Sequence, residues 1–301
     1  MSALENHFRS SSSSPISTTR DSRILPSSFA FFSNENYTLK AYPQNTLMNV
    51  IGSIIFHTFL VFVFYGMSSM LSSTFRSLTF SKKINWVSRL VSNVHAIISF
   101  GGALWAICMT AECYKRWDVV ANCFDYEVGY WTLQYTIGYF TYDLIFMLMF
   151  YKELGGIGLV LHHFFGIVGW GLILSYEGFS FFALLFTLTE ATTPFVNQRW
   201  FLYESGMKDK SVYSLCGFLL WLSWTLVRMP LIPLTFMYIM YNLEDFKYAP
   251  FAVPFVCIFN YVLITILNSY WYYLISKGLL SVLFGKKPKM TSTAATLKKE
   301  Q

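Results

Sequence analysis

The chain has 301 residues, of which 54% are hydrophobic, 20% aromatic and only 13% charged, and its formal net charge is +6. A soluble domain carries about 25% charged residues, so this chain lacks the polar surface to cover a water-soluble core and a cytosolic globule is excluded. Uncharged runs longer than the roughly 20 residues of a membrane-spanning helix point to an all-α polytopic bundle. A transmembrane barrel is excluded because no train of about ten-residue alternating segments occurs.

Residues 1–45 are Ser-rich, with an unbroken serine run from Ser10 to Ser14. They hold no long apolar stretch of the kind a cleavable signal peptide has, and read as a disordered tail. Arg9, Arg20 and Arg23 among serines suit a mitochondrial presequence, a reading that Glu5, Asp21 and Glu35 oppose. Asn36-Tyr37-Thr38 is an N-glycosylation sequon.

Uncharged or nearly uncharged stretches then run Ala41–Phe75, Leu90–Ala111, Val128–Tyr151, Leu154–Tyr176, Gly178–Gln198, Ser211–Leu243 and Tyr248–Ser276. These predict six to seven transmembrane helices, the first at 46–71, followed by a membrane domain over 76–285 and a basic tail over 286–301. Little more than Tyr176-Glu177-Gly178 separates the fourth from the fifth, which form a tight hairpin or one kinked unit.

Alternating the segments across the bilayer collects fourteen basic residues on one side: Arg76, Lys82, Lys83, Arg89, Lys152, Arg199, Lys208, Lys210, Lys277, Lys286, Lys287, Lys289, Lys298 and Lys299. The loops of the other side hold Lys115, Arg116 and Lys247. Because cytoplasmic loops carry the excess of Lys and Arg, the C-terminus is expected in the cytosol and the N-terminus in the lumen. Lys298 and Lys299, fourth and third from the C-terminus, resemble the dilysine signal that returns proteins to the endoplasmic reticulum through the coat machinery. The alternative is an ordinary polybasic tail. Cys113 and Cys123 share the expected lumenal loop, where a disulfide can form, while Cys108, Cys216 and Cys257 read as buried small hydrophobes.

Ionisable residues inside transmembrane segments are costly enough to mark functional sites. Here they are Asp143, His162, His163, Glu190 and Arg228, together with His57 and His95. At 1.5 Å per residue from the nearest cytoplasmic charge, His95 lies about 9 Å deep and Asp143, His162, His163, Glu190 and Asn268 about 13–14 Å. Five helices thus contribute to one polar layer. His162 shares a face with Gly158 and Gly166, whose small size permits close helix approach, while His163 is turned about 100° away, so the pair cannot chelate one metal from one face and no metal site is expected. Thr187, Glu190, Thr193 and Asn197 form a polar stripe, as do Ser88, Ser92, His95 and Ser99. His57 and His95 read as packing residues, and Arg228, beside Pro230 and Pro233, as a structural ion pair. An imidazole paired with a carboxylate in a low-dielectric cavity suits general acid and base work, yet a network that only fixes helix register would give the same pattern.

Leu161-His162-His163, followed by Glu190-Ala191-Thr192-Thr193-Pro194-Phe195-Val196-Asn197-Gln198-Arg199-Trp200-Phe201 and preceded by Phe80-Ser81-Lys82-Lys83-Ile84-Asn85-Trp86-Val87-Ser88-Arg89 and His95, resembles the TLC domain of ceramide synthases, the translocating-chain associating membrane protein and a further set of TLC proteins. The resemblance implies a membrane cavity in which His162 and His163 correspond to the histidine pair that supports acyl transfer from coenzyme A to a sphingoid amine. The acidic pattern of those enzymes, His-Asp-x-x-Asp, is here Thr189-Glu190-x-x-Thr193, so one carboxylate remains; Asp143 stands as its replacement. Two functions follow. In the first, the protein binds a lipid or acyl chain in the polar cavity, lined by His95, Thr187, Thr193, Asn197, Asn268 and Arg228, and acts in lipid homeostasis. In the second it is an acyltransferase of the sphingolipid kind, with His162, His163, Glu190 and Asp143 catalytic, acyl-coenzyme A as co-substrate and no resident cofactor, and Lys82, Lys83 and Arg199 meeting the coenzyme's phosphates. A transporter ranks third, since no inverted repeat is visible. Membrane lipids are the expected partners, nucleic acid is not, and a homo-oligomer stays open.

Overall fold

The computed structural model describes residues 45–108, 126–175, 180–241, 243 and 251–284. The N-terminal tail, the sequon, Cys113, Cys123, the turn at Glu177 and the basic C-terminal tail lie outside these residues. The described elements are helical, with no strand among them. In chain order they are α1 (Thr46–Leu71), α2 (Ser73–Ser77), α3 (Phe80–Cys108), α4 (Tyr126–Met149), α5 (Tyr151–Leu154), α6 (Ile157–Ser175), α7 (Ser180–Thr187), a 3₁₀ turn (Leu188–Thr192), α8 (Thr193–Glu204), α9 (Ser211–Ser223), a π turn (Trp224–Arg228), α10 (Leu231–Tyr241) and α11 (Ala252–Phe284).

Among the described residues, five spans are long and apolar enough to cross a bilayer: Thr46–Leu71, Phe80–Cys108, Ile157–Ser175, Ser211–Met240 and Ala252–Ser281. They match five of the seven expected stretches. The other two become α4 and the interrupted unit of α7, the 3₁₀ turn and α8. In α4 the reason is composition, since tyrosines and Gln134 replace aliphatic residues along 24 residues. Those side chains are affordable because α4 is the centre of the bundle. It packs against α1, α3, α6 and α7, and every residue from Thr132 to Phe140 is buried. A helix buried on all faces has no reason to be amphipathic.

Small residues set the closest approaches to α4. A Cβ on Gly138 would collide with the Ser53 side chain and the Val50 carbonyl of α1, and one on Gly102 of α3 would collide with Thr132. Polar pairs tie the same contacts: Asn49 Nδ2 donates to Gln134 Oε1 (2.6 Å), Gln134 Nε2 to Thr46 Oγ1 (2.9 Å), and Ser53 Oγ to the Tyr135 carbonyl (2.7 Å).

Two helices break where proline breaks them. Pro194 has no N–H to give the Glu190 carbonyl four residues back; the Thr193 N–H takes that carbonyl instead, and the helix tightens to a 3₁₀ turn over Leu188–Thr192. Ahead of Pro230 and Pro233 the chain widens into a π turn, with the Met229 N–H bonded to the Trp224 carbonyl (3.2 Å). Such turns recur at functional sites, and these two carry Glu190 and Arg228.

Candidate functional site

The tandem histidine lies on α6 with unequal surroundings. His163 is buried, its Nδ1 2.9 Å from the Leu159 carbonyl and its Nε2 3.0 Å from Asp143 Oδ2 on α4. A carbonyl oxygen only accepts, so Nδ1 must carry a proton. One further proton then lies between Nε2 and the carboxylate, and the pair is electrically neutral whichever atom holds it. The His162 ring is 5.4 Å from that of His163 and nearly perpendicular to it, against Phe140 (5.8 Å) and Trp271 (6.2 Å). Among the described residues its ring nitrogens have no hydrogen-bond partner. Of the two imidazoles, His163 is locked in place and His162 retains a free nitrogen.

Glu190 and Arg228 face the histidines from the two irregular turns. Glu190 Oε2 accepts from Thr193 Oγ1 (2.7 Å). The hydroxyl that stands where a second carboxylate is found in the resembling enzymes is therefore bound to the first. Arg228, expected in an ion pair, is held instead by neutral oxygens: Nε donates to Thr192 Oγ1 (2.9 Å), Nη1 to Asn268 Oδ1 (3.1 Å) and Nη2 to the Thr189 carbonyl (3.2 Å). Its guanidinium lies 4.4 Å from the centre of the Trp224 ring, a cation–π contact that is strongest when desolvated.

A second arginine enters from α3. Arg89 Nη1 donates to Asn197 Oδ1 (2.9 Å), and its guanidinium lies 4.8 Å from the Trp200 ring. The Asn197 amide donates in turn to the Arg89 carbonyl (3.2 Å) and Asn93 Oδ1 (2.8 Å), so Asn197 and Trp200 of the motif on α8 clip onto α3.

These groups enclose a cavity of about 450 Å³ whose wall includes Asp143, His162, His163, Glu190, Thr193, Asn197 and Arg228 with Arg89, Tyr139, Trp224 and Trp271. A smaller void shares His162, Glu190 and Arg228 with it and adds Thr187 and Asn268. Nine of the ten residues singled out by sequence thus meet around these two spaces. His95 does not. Its ring stacks on Tyr139 at 3.6 Å, with Nδ1 3.2 Å from Ser99 Oγ, one ring behind the wall and facing α4. Nearby His57 bonds the Ser53 carbonyl (2.7 Å) and Tyr135 Oη (2.9 Å). Depth placed His95 in the polar layer, but depth carries no information about which way a helix turns a side chain.

Arg89, Tyr139, Trp224 and Trp271 are among the wall residues that sequence reasoning did not single out as site residues. Arg89 counted as a loop charge and as part of the family string but not as a site residue, and hydropathy scores an indole as apolar whether or not its N–H is used. The three cations expected to reach coenzyme A are engaged elsewhere: Lys82 pairs with Glu204 (2.8 Å), Lys83 lies over Phe75 (5.6 Å) and Arg199 over Tyr213 (4.3 Å). No group of three or more His, Cys, Asp or Glu stands close enough to hold a metal among the described residues.

With this geometry in view, comparison with known proteins gives the family. The model of the TLC domain matches residues 85–277. The chain belongs to the TLC domain family. Its match covers all the cavity residues named above, and its bounds lie inside the expected 76–285. Among curated proteins, TLC domain-containing protein 4 A of Dictyostelium discoideum is 28% identical over 268 residues, covering 86% of this chain and 99% of that relative. TLC domain-containing protein 4 of Homo sapiens is 27% identical over 240 residues, with 77% and 88% covered, and that of Xenopus tropicalis is 29% identical over 219 residues, with 71% and 83% covered. No solved structure matches this TLC chain.

Proposed function

We propose that this TLC protein is a multi-pass protein of the endoplasmic reticulum membrane that acts in lipid homeostasis by holding a lipid or acyl chain in its intramembrane cavity. The observation that carries the reading is the cavity of about 450 Å³, a volume inside the range of about 300–1,000 Å³ used for small-molecule sites. Its polar wall sits among helices apolar enough to span a bilayer, where buried ionisable groups are kept for a purpose. The smaller void shares Trp170, Phe186 and Ile264 with an apolar cleft lined also by Phe165, Ile173 and Val253, an arrangement that suits an amphipathic ligand.

Acyl transfer is the second reading, and His162 is what favours it. A neutral imidazole with a free nitrogen in a polar cavity is a competent nucleophile or base, with Glu190 on the same wall. Binding comes first because the second acidic position is Thr193, and because Lys82, Lys83 and Arg199 are already engaged.

Purified protein in nanodiscs, supplied with acyl-coenzyme A and a panel of amine and lysolipid acceptors, separates the two. The expected result is a co-purifying lipid with no turnover. Turnover that disappears in the His162→Ala, His163→Ala double variant would instead establish the acyltransferase.

A further inference from the structure

Among the described residues, two buried N–H groups of cavity-lining side chains lack acceptors. Trp224 is 5% exposed, and its Nε1, along with Nε of Arg89, is buried without a hydrogen-bond partner. An indole nitrogen and a guanidinium only donate. Arg89 commits one of its five N–H bonds to Asn197, and Arg228 commits three to Thr192, Asn268 and Thr189, so both keep donors in reserve. The carboxylates of the wall each have one partner, Asp143 in His163 and Glu190 in Thr193.

Its charge points the same way. The His163–Asp143 pair is neutral, as the proton count above requires, leaving two guanidinium charges against the single carboxylate of Glu190. Glu204, at the far end of α8, is taken by Lys82 (2.8 Å). One positive charge remains uncompensated in a low-dielectric wall, and an anion would neutralise it.

We propose that the cavity takes a lipid whose head group is an oxyanion, a phosphate or a carboxylate, bound by the N–H donors of Arg89, Arg228 and Trp224. This rests on the reading that the cavity holds a lipid, and adds the chemical class of its head. Guanidinium forks match both oxyanions, and hydrogen bonds between ions are stronger than neutral ones. The Trp224 ring beneath Arg228 fixes the plane of the guanidinium, so its free N–H bonds are oriented before a ligand arrives. The chain of such a lipid would extend past the smaller void toward the apolar cleft.

The test uses the full chain in dodecyl maltoside micelles and four probes with one oleyl chain: oleate, oleoyl lysophosphatidate, oleyl alcohol and oleylamine, with inorganic phosphate as a chainless control. Oleate and lysophosphatidate are expected to bind at least about tenfold more tightly than the alcohol or the amine. Arg89→Gln should weaken both anions about tenfold and leave the alcohol unchanged. Trp224→Phe, which keeps the ring and removes the N–H, should weaken them about threefold and serves if the arginine variant fails to fold. Equal affinity for all four probes, or tightest binding of oleylamine, would overturn the proposal. Inorganic phosphate binding with the same dependence on Arg89 would overturn the lipid head group in favour of a free anion. Val196→Trp, which fills the cavity from α8, tells the two readings apart. Loss of all four probes in that variant, with no head-group preference in the native chain, removes the oxyanion assignment and keeps lipid binding. Failure of every probe to bind the native chain removes both.

Discussion

Asp143 holds His163 through a single shared proton, and substitutions that differ in how they treat that proton should differ in cost. Asparagine offers an N–H to the Nε2 lone pair, so Asp143→Asn keeps the pair bonded and neutral. Leucine offers nothing and leaves a buried ring nitrogen unpaired, which costs about 1–3 kcal/mol. Thermal unfolding in detergent should therefore show Asp143→Leu destabilised by that amount and Asp143→Asn by less than about 1 kcal/mol. Equal destabilisation by both would mean that the ion pair, rather than the shared proton, is what α4 supplies. At this scale sequence was informative for a definite reason. An ionisable side chain inside an apolar run is conspicuous, which is why Asp143, His162, His163, Glu190 and Arg228 could be singled out. Trp224 and Arg89 could not be, because an indole scores as apolar and an arginine at a helix margin scores as topology. His95 was drawn in by its depth, its polar stripe and the family resemblance, and its true neighbour, Tyr139, is visible only once α3 and α4 are packed.

Among the elements, α4 carries the largest structural load and was the hardest to read. Its tyrosines and Gln134 keep it out of the most apolar spans, while burial along Thr132 to Phe140 makes it the axis on which α1, α3 and α6 assemble. The turns beside Pro194 and Pro230 were half legible: proline announces a break but does not say whether the helix tightens to 3₁₀ or widens to π. That difference decides which side chains enter the cavity. The α1–α4 contact gives the clearest element-scale prediction. Gly138 has the Ser53 side chain and the Val50 carbonyl where a Cβ would sit, and a backbone carbonyl cannot move aside without moving α1. Gly138→Leu should part α1 from α4 and break the Ser53 bond to the Tyr135 carbonyl, at a cost of about 1–3 kcal/mol or more from overpacking. Gly171→Leu is the control, since nothing lies near that Cβ and the residue faces outward space; its midpoint should stay within about 1 kcal/mol of the native protein once helix propensity is counted. Similar losses for both would show that helical glycine itself, and not the close approach, is what matters.

For the whole molecule the open matter is which end of the bundle faces the cytosol, and the described contacts sharpen it. Lys82 at the start of α3 reaches Glu204 at the end of α8 (2.8 Å), and Asn85 Nδ2 reaches the Glu153 carbonyl in α5 (2.7 Å). The segments bearing Arg76, Lys82, Lys83, Arg89, Lys152 and Arg199 therefore meet at one end, as the alternation of the basic residues requires. At the opposite end Thr46 and Asn49 bond to Gln134. Because Lys and Arg accumulate on the cytoplasmic side, the end with Lys82 should be cytosolic and the end with Thr46 lumenal. In sealed microsomes a C-terminal tag should then be digested by added protease, and a glycan removable by endoglycosidase should disappear on Asn36→Gln. A protected tag would invert the molecule, and would remove the dilysine reading with it, since Lys298 and Lys299 can be read by a coat only from the cytosol. If the tag is digested, Lys298→Ser with Lys299→Ser should move the protein out of the reticulum; unchanged reticular localisation would leave the tail as an electrostatic anchor, with residence set by the membrane domain itself.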